Sequence, residues 1–317
     1  MIDRFIKTAK KIKARIVLPE FYDGRIQEAA KKSRDFSVPV FPCWNDAEIS
    51  LAKKSGAGFV DCREVHKDLA RGYSKITGIK LRTAEVIVKD KLISAALLLK
   101  LGYVDAMVGG CVYTSGDFIA VSKQVIGLRK GIRVPSSFFI MDVPGFGQYV
   151  YADASVNPNP TAEELADIAV MTGISAKQLL GIKPRIAMLS FSTKGSAEHP
   201  DVCKVVRATE LAKKKGKKFG LLVDGELQAD AALRLDVAKR KIKGQIGEVA
   251  GRANVLIFPD LDAGNIAYKL TQYFGKARAY GPILQGFAKP LSDLPRGARV
   301  EDIIGILAIV SVLSQQK

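Results

Sequence analysis

The sequence predicts an α/β protein with mostly parallel sheets, and three observations support this fold class. Short apolar runs alternate with longer helical patterns along the chain, the order that parallel sheets with helices on both faces produce. Small and polar residues follow several of these runs, at the carboxyl ends of the strands, where such folds bind their ligands. The length of 317 residues favours two domains at about 150 residues each.

Each predicted strand is a short apolar run, as expected of strands that are buried on both faces. In chain order the strands are Arg15–Pro19, Val38–Phe41, Asp105–Gly109, Ser136–Met141, Tyr149–Ala152, Arg185–Phe191, Phe219–Asp224 and Asn254–Pro259. The helical stretches between or after them are Arg25–Asp35, Arg82–Leu101, Thr161–Leu180, His199–Lys215, Gly264–Phe274 and Ile303–Leu313. The segment Asp142–Gln148 is dense in proline and glycine and is the predicted domain break.

Charge and composition narrow the classes of function. The net charge of +17 suits partners that carry several phosphates. Nucleic acid is disfavoured because the lysine cluster Lys213–Lys218 ends a predicted helix, where cations are favoured, and no aromatic residues are interleaved with it. Four cysteines without a CxxC pair and two histidines offer little for a metal site. No apolar run is long enough to span a membrane, so we expect a cytoplasmic protein.

The segment Asn157-Pro-Asn-Pro-Thr161 has two interpretations. As structure, Thr161 begins a helix and forms a capping box with Glu164, while the prolines keep the approach extended. As function, Asn157 and Asn159 present two amide side chains on a stiffened loop and could hydrogen-bond a ligand. The segment alone leaves both interpretations open.

The segment Ser190–Ser196 has the composition of an anion-binding loop. It follows a predicted strand and contains hydroxyl groups, a lysine and a glycine at Ser190, Ser192, Thr193, Lys194, Gly195 and Ser196. Hydroxyls, an ammonium and backbone N–H groups can together bind one phosphate. The spacing is not that of a P-loop, and the alternative is a Ser/Thr-rich turn with a surface lysine. We favour the anion site.

A third segment, Leu294–Gly297 with the Val300–Ile303 stretch that follows, contains Arg296 and Asp302. On local pattern alone, Asp302 is an acidic residue in the first turn of the last helix, where the helix dipole favours it.

In this order, the segments closely resemble the phosphate acetyl/butyryltransferases, with the acetyl branch fitting better. The matching stretches in the first half are Ile16–Glu20 with Asp23 and Arg25, Asp105–Gly110 with Thr114 and Asp117, Ala152-Asp153 and Val156–Leu165. In the second half they are Arg185–Ala197 with His199-Pro200, Asp224–Gln228, Ala253–Leu261 with Ala263–Asn265, Gly281–Gly286, and Arg296-Gly297 with Glu301–Ile303.

The resemblance implies an acyltransferase that converts acetyl-CoA and phosphate to acetyl phosphate and CoA, reversibly and by direct transfer in a ternary complex. CoA and phosphate would be substrates, with no tightly bound cofactor and no metal. It also implies two α/β/α lobes like those of isocitrate-type dehydrogenases, an active site in the cleft between them, and a homodimer. The first lobe would be 1–141 with 284–317, and the second 142–283. No nucleic-acid or membrane partner is implied.

By the same resemblance, Arg296 stabilises the transition state and Asp302 takes the proton of the CoA thiol. Gly281 and Gln285 fall in a matched block and join the two asparagines and the Ser190–Ser196 loop as predicted substrate-binding residues.

The sequence departs from the family pattern at several positions. Pro295 replaces a serine and Ala120 an arginine, Tyr273 stands where a second arginine is usual, and Ala154 and Phe21 replace a cysteine and a glycine. Two guanidinium groups and a hydroxyl are therefore missing from a site that binds phosphates, which predicts reduced activity. The alternative is a non-catalytic paralogue that binds CoA or phosphate as a regulatory or interaction protein.

Overall fold

Two units of the chain fold around separate groups of strands in a computed structural model that describes residues 1–315. The first unit combines Met1–Lys130 with the chain from Phe287 onward, and the second is Gly131–Gly286. These limits differ from the predicted ranges because strand Ser136–Val143 pairs on both sides with strands of the second unit. The Pro- and Gly-rich segment 142–148 contains the tight turn 144–146 and the paired ends of the two antiparallel strands that this turn joins within that unit.

The first part of the first unit alternates strands and helices as predicted. Its elements are α1 (Ile2–Ile12), β1 (Arg15–Val17), α2 (Gly24–Ser33), β2 (Val38–Cys43), α3 (Asp46–Lys54), β3 (Gly58–Asp61), α4 (His66–Thr77), α5 (Leu81–Ile87), α6 (Lys91–Leu101), β4 (Ala106–Gly109) and α7 (Ser115–Val125). The predicted helix Arg82–Leu101 is two helices, since the Asp90 side chain accepts a hydrogen bond from the Ile93 N–H (2.9 Å) and starts α6.

The second unit begins with an antiparallel hairpin and continues in α/β order. Its elements are β5 (Ser136–Val143), β6 (Gly147–Ala152), α8 (Ala162–Leu180), β7 (Arg185–Leu189), α9 (Pro200–Gly216), β8 (Leu222–Leu227), α10 (Ala229–Leu233), α11 (Leu235–Lys241), β9 (Val255–Ile257), α12 (Leu261–Tyr273) and β10 (Arg278–Gln285). The strand order is β10-β5-β6-β9-β7-β8. β5 is antiparallel to β10 and β6, and the remaining pairs are parallel.

The chain then returns to the first unit as β11 (Leu291–Asp293) and α13 (Val300–Leu313). The strand order in this unit is β3-β2-β1-β4-β11, and every neighbouring pair is parallel. The carboxyl ends of β1, β4 and β11 therefore lie at one edge of the sheet. The loops that follow these ends contain Glu20, Gly110 and Arg296.

Most predicted strands and helices are present with boundaries shifted by a few residues, and the predicted capping box of α8 is confirmed. The Glu164 N–H donates to the Thr161 hydroxyl (3.3 Å), and the Thr161 N–H donates to the Glu164 carboxylate (2.8 Å). The strands β3, β10 and β11 were not predicted. β10 and β11 contain proline or polar residues, and only pairing with neighbouring strands makes them regular.

Candidate functional site

Arg296 lies in the loop that joins β11 to α13, beyond the carboxyl edge of the first unit's sheet. The residue is exposed, and within residues 1–315 its guanidinium makes no hydrogen bond or ion pair. Its backbone is held in place, however, because Nη1 of Arg25 donates to the carbonyl oxygens of Arg296 (2.6 Å) and Ala298 (3.0 Å). The loop thus holds the Arg296 backbone in place, while the guanidinium stays unpaired among the described residues.

Arg25 is itself fixed by Asp23. The Asp23 carboxylate accepts from Nε (3.1 Å) and Nη2 (2.7 Å) of Arg25, and also from its backbone N–H at the start of α2 (2.8 Å). The hydrogen bond with Arg25 lowers the pKa of the Asp23 carboxyl below its ordinary value. Nη2 of Arg25 also reaches the Cys111 carbonyl oxygen (3.3 Å), so one side chain connects the loops after β4 and β11.

Glu20, in the loop that follows β1, organises the loop after β4. Its fully buried carboxylate accepts four backbone N–H groups, from Gly110 (2.8 Å), Cys111 (2.8 Å), Val112 (2.7 Å) and Tyr113 (2.7 Å). Four N–H donors compensate the cost of burying one carboxylate. In the sequence, Glu20 falls only within a matching stretch, and the one local signal for it is an acidic residue directly after a predicted strand.

Asp293, at the end of β11, is buried without such compensation. The residue is 1% exposed, and its Oδ1 has no hydrogen-bond partner among residues 1–315. Burial raises the pKa of the Asp293 carboxyl to about 6, against a hydrogen bond from Ser115 that lowers it. Gly110 packs directly against this carboxylate with a φ of +108°, so no larger residue fits there. Asp293 is not among the site residues that the sequence predicts.

Asp302 caps the last helix. Its Oδ2 accepts the backbone N–H (3.0 Å) and Nε (3.3 Å) of Arg299, and its side chain is 41% exposed. The helix-start interpretation of this residue is therefore confirmed. Within residues 1–315 the capping contacts use only Oδ2, and Oδ1 accepts no hydrogen bond.

The Ser190–Ser196 loop follows β7 in the second unit, and much of its hydrogen-bonding capacity is already used. The buried Glu226 carboxylate accepts from the Ser192 hydroxyl (2.9 Å) and the Gly195 N–H (2.7 Å). The Thr193 N–H donates to the Ser196 hydroxyl (2.9 Å), and the Thr193 hydroxyl donates to Gln228 (3.2 Å). These contacts fold the loop around a carboxylate, so the donors do not all converge on a ligand as predicted.

The Lys194 side chain contacts two residues of strand β8. Its ammonium donates to Oδ1 of Asp224 (2.6 Å) and to the Gly225 carbonyl oxygen (2.7 Å), and Lys213 reaches the same Oδ1 at 3.2 Å. Burial acts to raise the pKa of Asp224, but the hydrogen bonds and charges of the two lysines together lower it below its ordinary value. Lys194 also has a φ of +50°, which is rare outside glycine and asparagine.

The two predicted asparagines have different surroundings. The Asn157 amide donates to the Pro135 carbonyl oxygen (2.8 Å) and to the buried Asp153 carboxylate (2.5 Å). These two bonds give Asn157 a structural role, and its predicted ligand contact stays a prediction. Asn159 is exposed, and its Oδ1 accepts from Lys204 (2.7 Å). Its amide NH₂ stays available to a ligand.

Gln285 and Gly281 on β10 also have structural roles. The Gln285 amide is 4% exposed and donates to the hydroxyls of Ser136 (2.9 Å) and Thr172 (2.8 Å), while its oxygen accepts from Ser175 (3.2 Å). A Cβ at Gly281 would lie 2.6 Å from the Phe139 ring, so packing requires glycine there. These contacts explain both residues without the predicted substrate contact.

Two further observations concern residues 1–315. No group of three His, Cys, Asp or Glu side chains in this range could hold a metal ion. No helix in the same range is long and apolar enough to cross a membrane.

The chain is similar to proteins of one family over nearly its whole length. A sequence model described as "Phosphate acetyl/butaryl transferase" matches residues 1–311. The chain is 41% identical to the phosphate acetyltransferase of Acetivibrio thermocellus, with 99% of this chain and 98% of that protein covered. It is 42% identical to the phosphate acetyltransferase of Thermoanaerobacterium thermosaccharolyticum, with 99% of each covered.

Solved structures agree with these relatives. The phosphotransacetylase of Streptococcus pyogenes superposes with a TM-score of 0.88 at 34% identity and covers 100% of both chains. The EutD phosphotransacetylase of Staphylococcus aureus gives a TM-score of 0.87 at 32% identity, with 99% of each chain covered. The structure named "putative 4-hydroxythreonine-4-phosphate dehydrogenase" from Salmonella typhimurium shares only the fold at 13% identity (TM-score 0.56, 95% of this chain and 99% of that chain covered).

Proposed function

This chain belongs to the phosphate acetyl/butyryltransferase family, and we propose that Arg296 and Asp302 carry its reaction, the reversible transfer of an acetyl group between CoA and inorganic phosphate. It is an enzyme of the transferase class. Family membership supports the reaction itself. The residues that carry it and the order in which bonds form and break are our proposal.

In the direction of acetyl-CoA synthesis, the CoA thiol sulfur attacks the acetyl carbonyl of acetyl phosphate. A C–S bond forms, the C–O bond to phosphate breaks, and the thiol proton passes to Oδ1 of Asp302. The thiolate is the nucleophile, so a nearby base is useful because a free thiol has a pKa of about 8.5. The guanidinium of Arg296 holds the oxyanion and the departing phosphate by hydrogen bonds. No covalent enzyme intermediate is needed.

One observation carries this assignment: within residues 1–315 the Arg296 guanidinium has no partner, and Arg25 holds its backbone by two hydrogen bonds. Guanidiniums in proteins commonly pair with carboxylates or carbonyl oxygens, and a fixed, unpaired one suits an anionic ligand. Preorganised donors are effective because they need no rearrangement when charge develops.

We also propose that the Ser190–Ser196 loop contributes to substrate binding through groups that its internal contacts leave available. The Ser190 oxygen accepts from the Ser192 N–H (3.2 Å), and its hydroxyl proton can be donated to a phosphate. Asn159 can donate its amide in the same way. The bonds of the loop to Glu226 keep it rigid, which reduces the entropy lost on binding.

The assay that tests the assignment follows acetyl-CoA formation from acetyl phosphate and CoA, with propionyl and butyryl phosphate as parallel substrates. Arg296→Ala should lower kcat by about 10²–10³-fold, the usual cost of removing one transition-state donor. Arg296→Lys should recover little, since an ammonium does not replace a bidentate fork. Arg207→Ala is the control, because Arg207 is an exposed arginine paired with Glu210 in the second unit. Equal rates for Arg296→Ala and Arg207→Ala would refute the assignment.

The non-catalytic alternative predicts no thiolester from any of these substrates while CoA or phosphate still binds. Full-length identities above 40% to phosphate acetyltransferases favour the enzyme. The missing serine and arginines predict a slow enzyme.

The proposal includes a reducing cytoplasmic location and a homodimer, with small-molecule substrates and no nucleic-acid or membrane partner. Four free cysteines support the location. Burial raises the pKa of Cys43, Cys62 and Cys111 to about 12, which keeps these thiols unreactive. The homodimer is proposed from the resemblance to the family alone.

A further inference from the structure

A cavity of about 450 Å³ lies beside β8, the edge strand of the second unit's sheet. Its wall is formed by β8, by Lys213 in the last turn of α9 and by the segment 242–249 that follows α11. Leu222 on this wall begins β8, so the cavity extends towards the amino end of the strand, whereas the Ser190–Ser196 loop follows the carboxyl end of β7. The volume is within the roughly 300–1,000 Å³ that is typical of small-molecule sites.

Two lysines with unused donors line one side of the cavity. The ammonium groups of Lys194 and Lys213 both donate to Oδ1 of Asp224, at 2.6 Å and 3.2 Å, and Lys194 also donates to the Gly225 carbonyl oxygen (2.7 Å). Each ammonium has three N–H donors. Among the described residues, Lys194 therefore keeps one donor and Lys213 keeps two for a ligand in the cavity.

The charged groups on this wall leave a surplus of one positive charge. Lys194 and Lys213 share the single carboxylate of Asp224, and the other acid on the wall, Glu248, pairs with Lys183 (2.6 Å). Burial acts to raise the pKa of Asp224, yet the two lysines together lower it below its ordinary value, which shows how strong their field is at this point. One further anionic group would balance the charge of the site.

The remainder of the wall is mostly apolar. Its side chains also contact or belong to the core of the second unit, and they are Leu222, Val223, Ile242, Ile246 and Val249. A hydrocarbon group placed against this wall is removed from water, which is favourable. Inorganic phosphate or a polyphosphate would bring more than one charge and could not use the apolar side. A single carboxylate attached to a short hydrocarbon body uses both sides.

We propose that this cavity binds a monocarboxylate with a short hydrocarbon body, with the carboxylate on Lys194 and Lys213 and the body against the apolar wall. The reaction of this family consumes no free carboxylate, so such a ligand is an effector and not a substrate. Lys194 belongs to the Ser190–Ser196 loop, so the effector should alter the affinity for the substrate that this loop binds, and that substrate alters the effector's affinity by the same factor. This coupling rests on the proposed function of the loop, whereas binding in the cavity does not.

A ligand-observed NMR titration of the full chain with 3-methylbutanoate tests the site, at about pH 7.5 where a carboxylate is ionised. We expect a dissociation constant of about 1 mM or lower. Acetate has the same charge and a smaller body, so it should bind at least about tenfold more weakly. Absence of 3-methylbutanoate binding, or equal affinities for the two carboxylates, would overturn the proposal. Binding of inorganic phosphate that depends on Lys213 would reject the proposed ligand class.

Variants of the cavity wall locate the binding. Lys213→Met removes one ammonium from a helix and should raise the dissociation constant about tenfold or more. Lys214→Met is the matched control, because Lys214 is the next residue of α9, is exposed and is not part of the cavity wall. Gln245→Glu adds a negative charge at an exposed position of the wall, so it tests the site even if Lys213→Met folds poorly, and it should weaken binding at least about threefold. Equal affinities in all three variants would reject the cavity.

Steady-state kinetics with and without saturating 3-methylbutanoate test the coupling. The KM for acetyl phosphate or the KM for CoA should change at least about twofold in the unaltered protein and stay constant in Lys213→Met. Unchanged KM values in the unaltered protein would reject the effector role. Arg296→Ala separates this proposal from the proposed chemistry, since it should bind 3-methylbutanoate normally while losing turnover. Loss of that binding in Arg296→Ala would place the carboxylate at the proposed catalytic residues and overturn the cavity site.

Discussion

Nη1 of Arg25 donates a 2.6 Å hydrogen bond to the carbonyl oxygen of Arg296, although 271 residues separate them in the sequence. The contact gives Arg25 a structural role, while the Arg296 guanidinium has no partner in the part of the chain that the structure describes. Arg25→Ala should therefore act through Arg296, lowering kcat at least about tenfold and the free energy of unfolding by about 1–3 kcal/mol. Steady-state kinetics and urea unfolding measure both effects. Loss of stability with an unchanged kcat would show that Arg25 does not position Arg296.

Asp302 has two roles that can be separated: it caps the start of α13, and it is the proposed base that takes the thiol proton. Asparagine retains the capping oxygen but cannot take a proton. Asp302→Asn should therefore keep its melting temperature within a few degrees and lose about 10²-fold in kcat. Asp302→Ala should lose both the rate and about 1 kcal/mol of stability. A normal rate in the asparagine variant would leave capping as the whole role of Asp302.

Pro295, directly before Arg296, replaces a family serine that would offer a hydroxyl donor. Restoring it with Pro295→Ser should raise kcat measurably with little change in either substrate KM, because one transition-state donor is commonly worth about 10²–10³-fold. Initial rates at saturating substrate measure the gain. A lower kcat would mean that the fixed φ of proline is part of the site as it now stands.

Lys194 and Lys213 share the Asp224 carboxylate, which makes them a matched pair. Each alanine variant should lower the melting temperature, since Asp224 is largely buried and loses one cation. Only Lys194→Ala alters the Ser190–Ser196 loop. This variant alone should therefore raise the KM for acetyl phosphate or the KM for CoA, whichever phosphate the loop binds. Equal KM values in both variants would argue against substrate binding by this loop.

Asp293 should make the protein less stable as the pH rises. Its folded pKa of about 6 lies above the ordinary value of 3.8, so folding opposes its ionisation. Below about pH 4 the carboxyl is protonated in the folded and the unfolded state, so it does not lower the free energy of unfolding. Above about pH 6 it lowers that free energy by roughly 3 kcal/mol. Asp293→Asn should therefore raise the free energy of unfolding more at pH 8 than at pH 4. The control is Asp35→Asn at an exposed carboxylate, and an equal pH dependence in both variants would contradict the prediction.

The sequence by itself determined the fold class, the family and the segment that contains Arg296. Apolar periodicity, helix caps and matching segments are local patterns, so they can be interpreted without knowing which parts of the chain meet. The start of α8 at Thr161 and the capping role of Asp302 are of this kind, since each depends on a residue three positions away.

Only the tertiary structure decided what the buried polar groups do. Glu20 meets the N–H groups of 110–113 across about 90 residues, and Glu226 takes donors of the Ser190–Ser196 loop across more than 30. The Gln285 amide likewise donates its hydrogen bonds to hydroxyls on β5 and α8. A polar side chain must find partners once it is buried, and those partners are set by the packing of distant segments. For this reason composition identified residues able to bind a ligand, while their long-range contacts determined which of them remain free to do so.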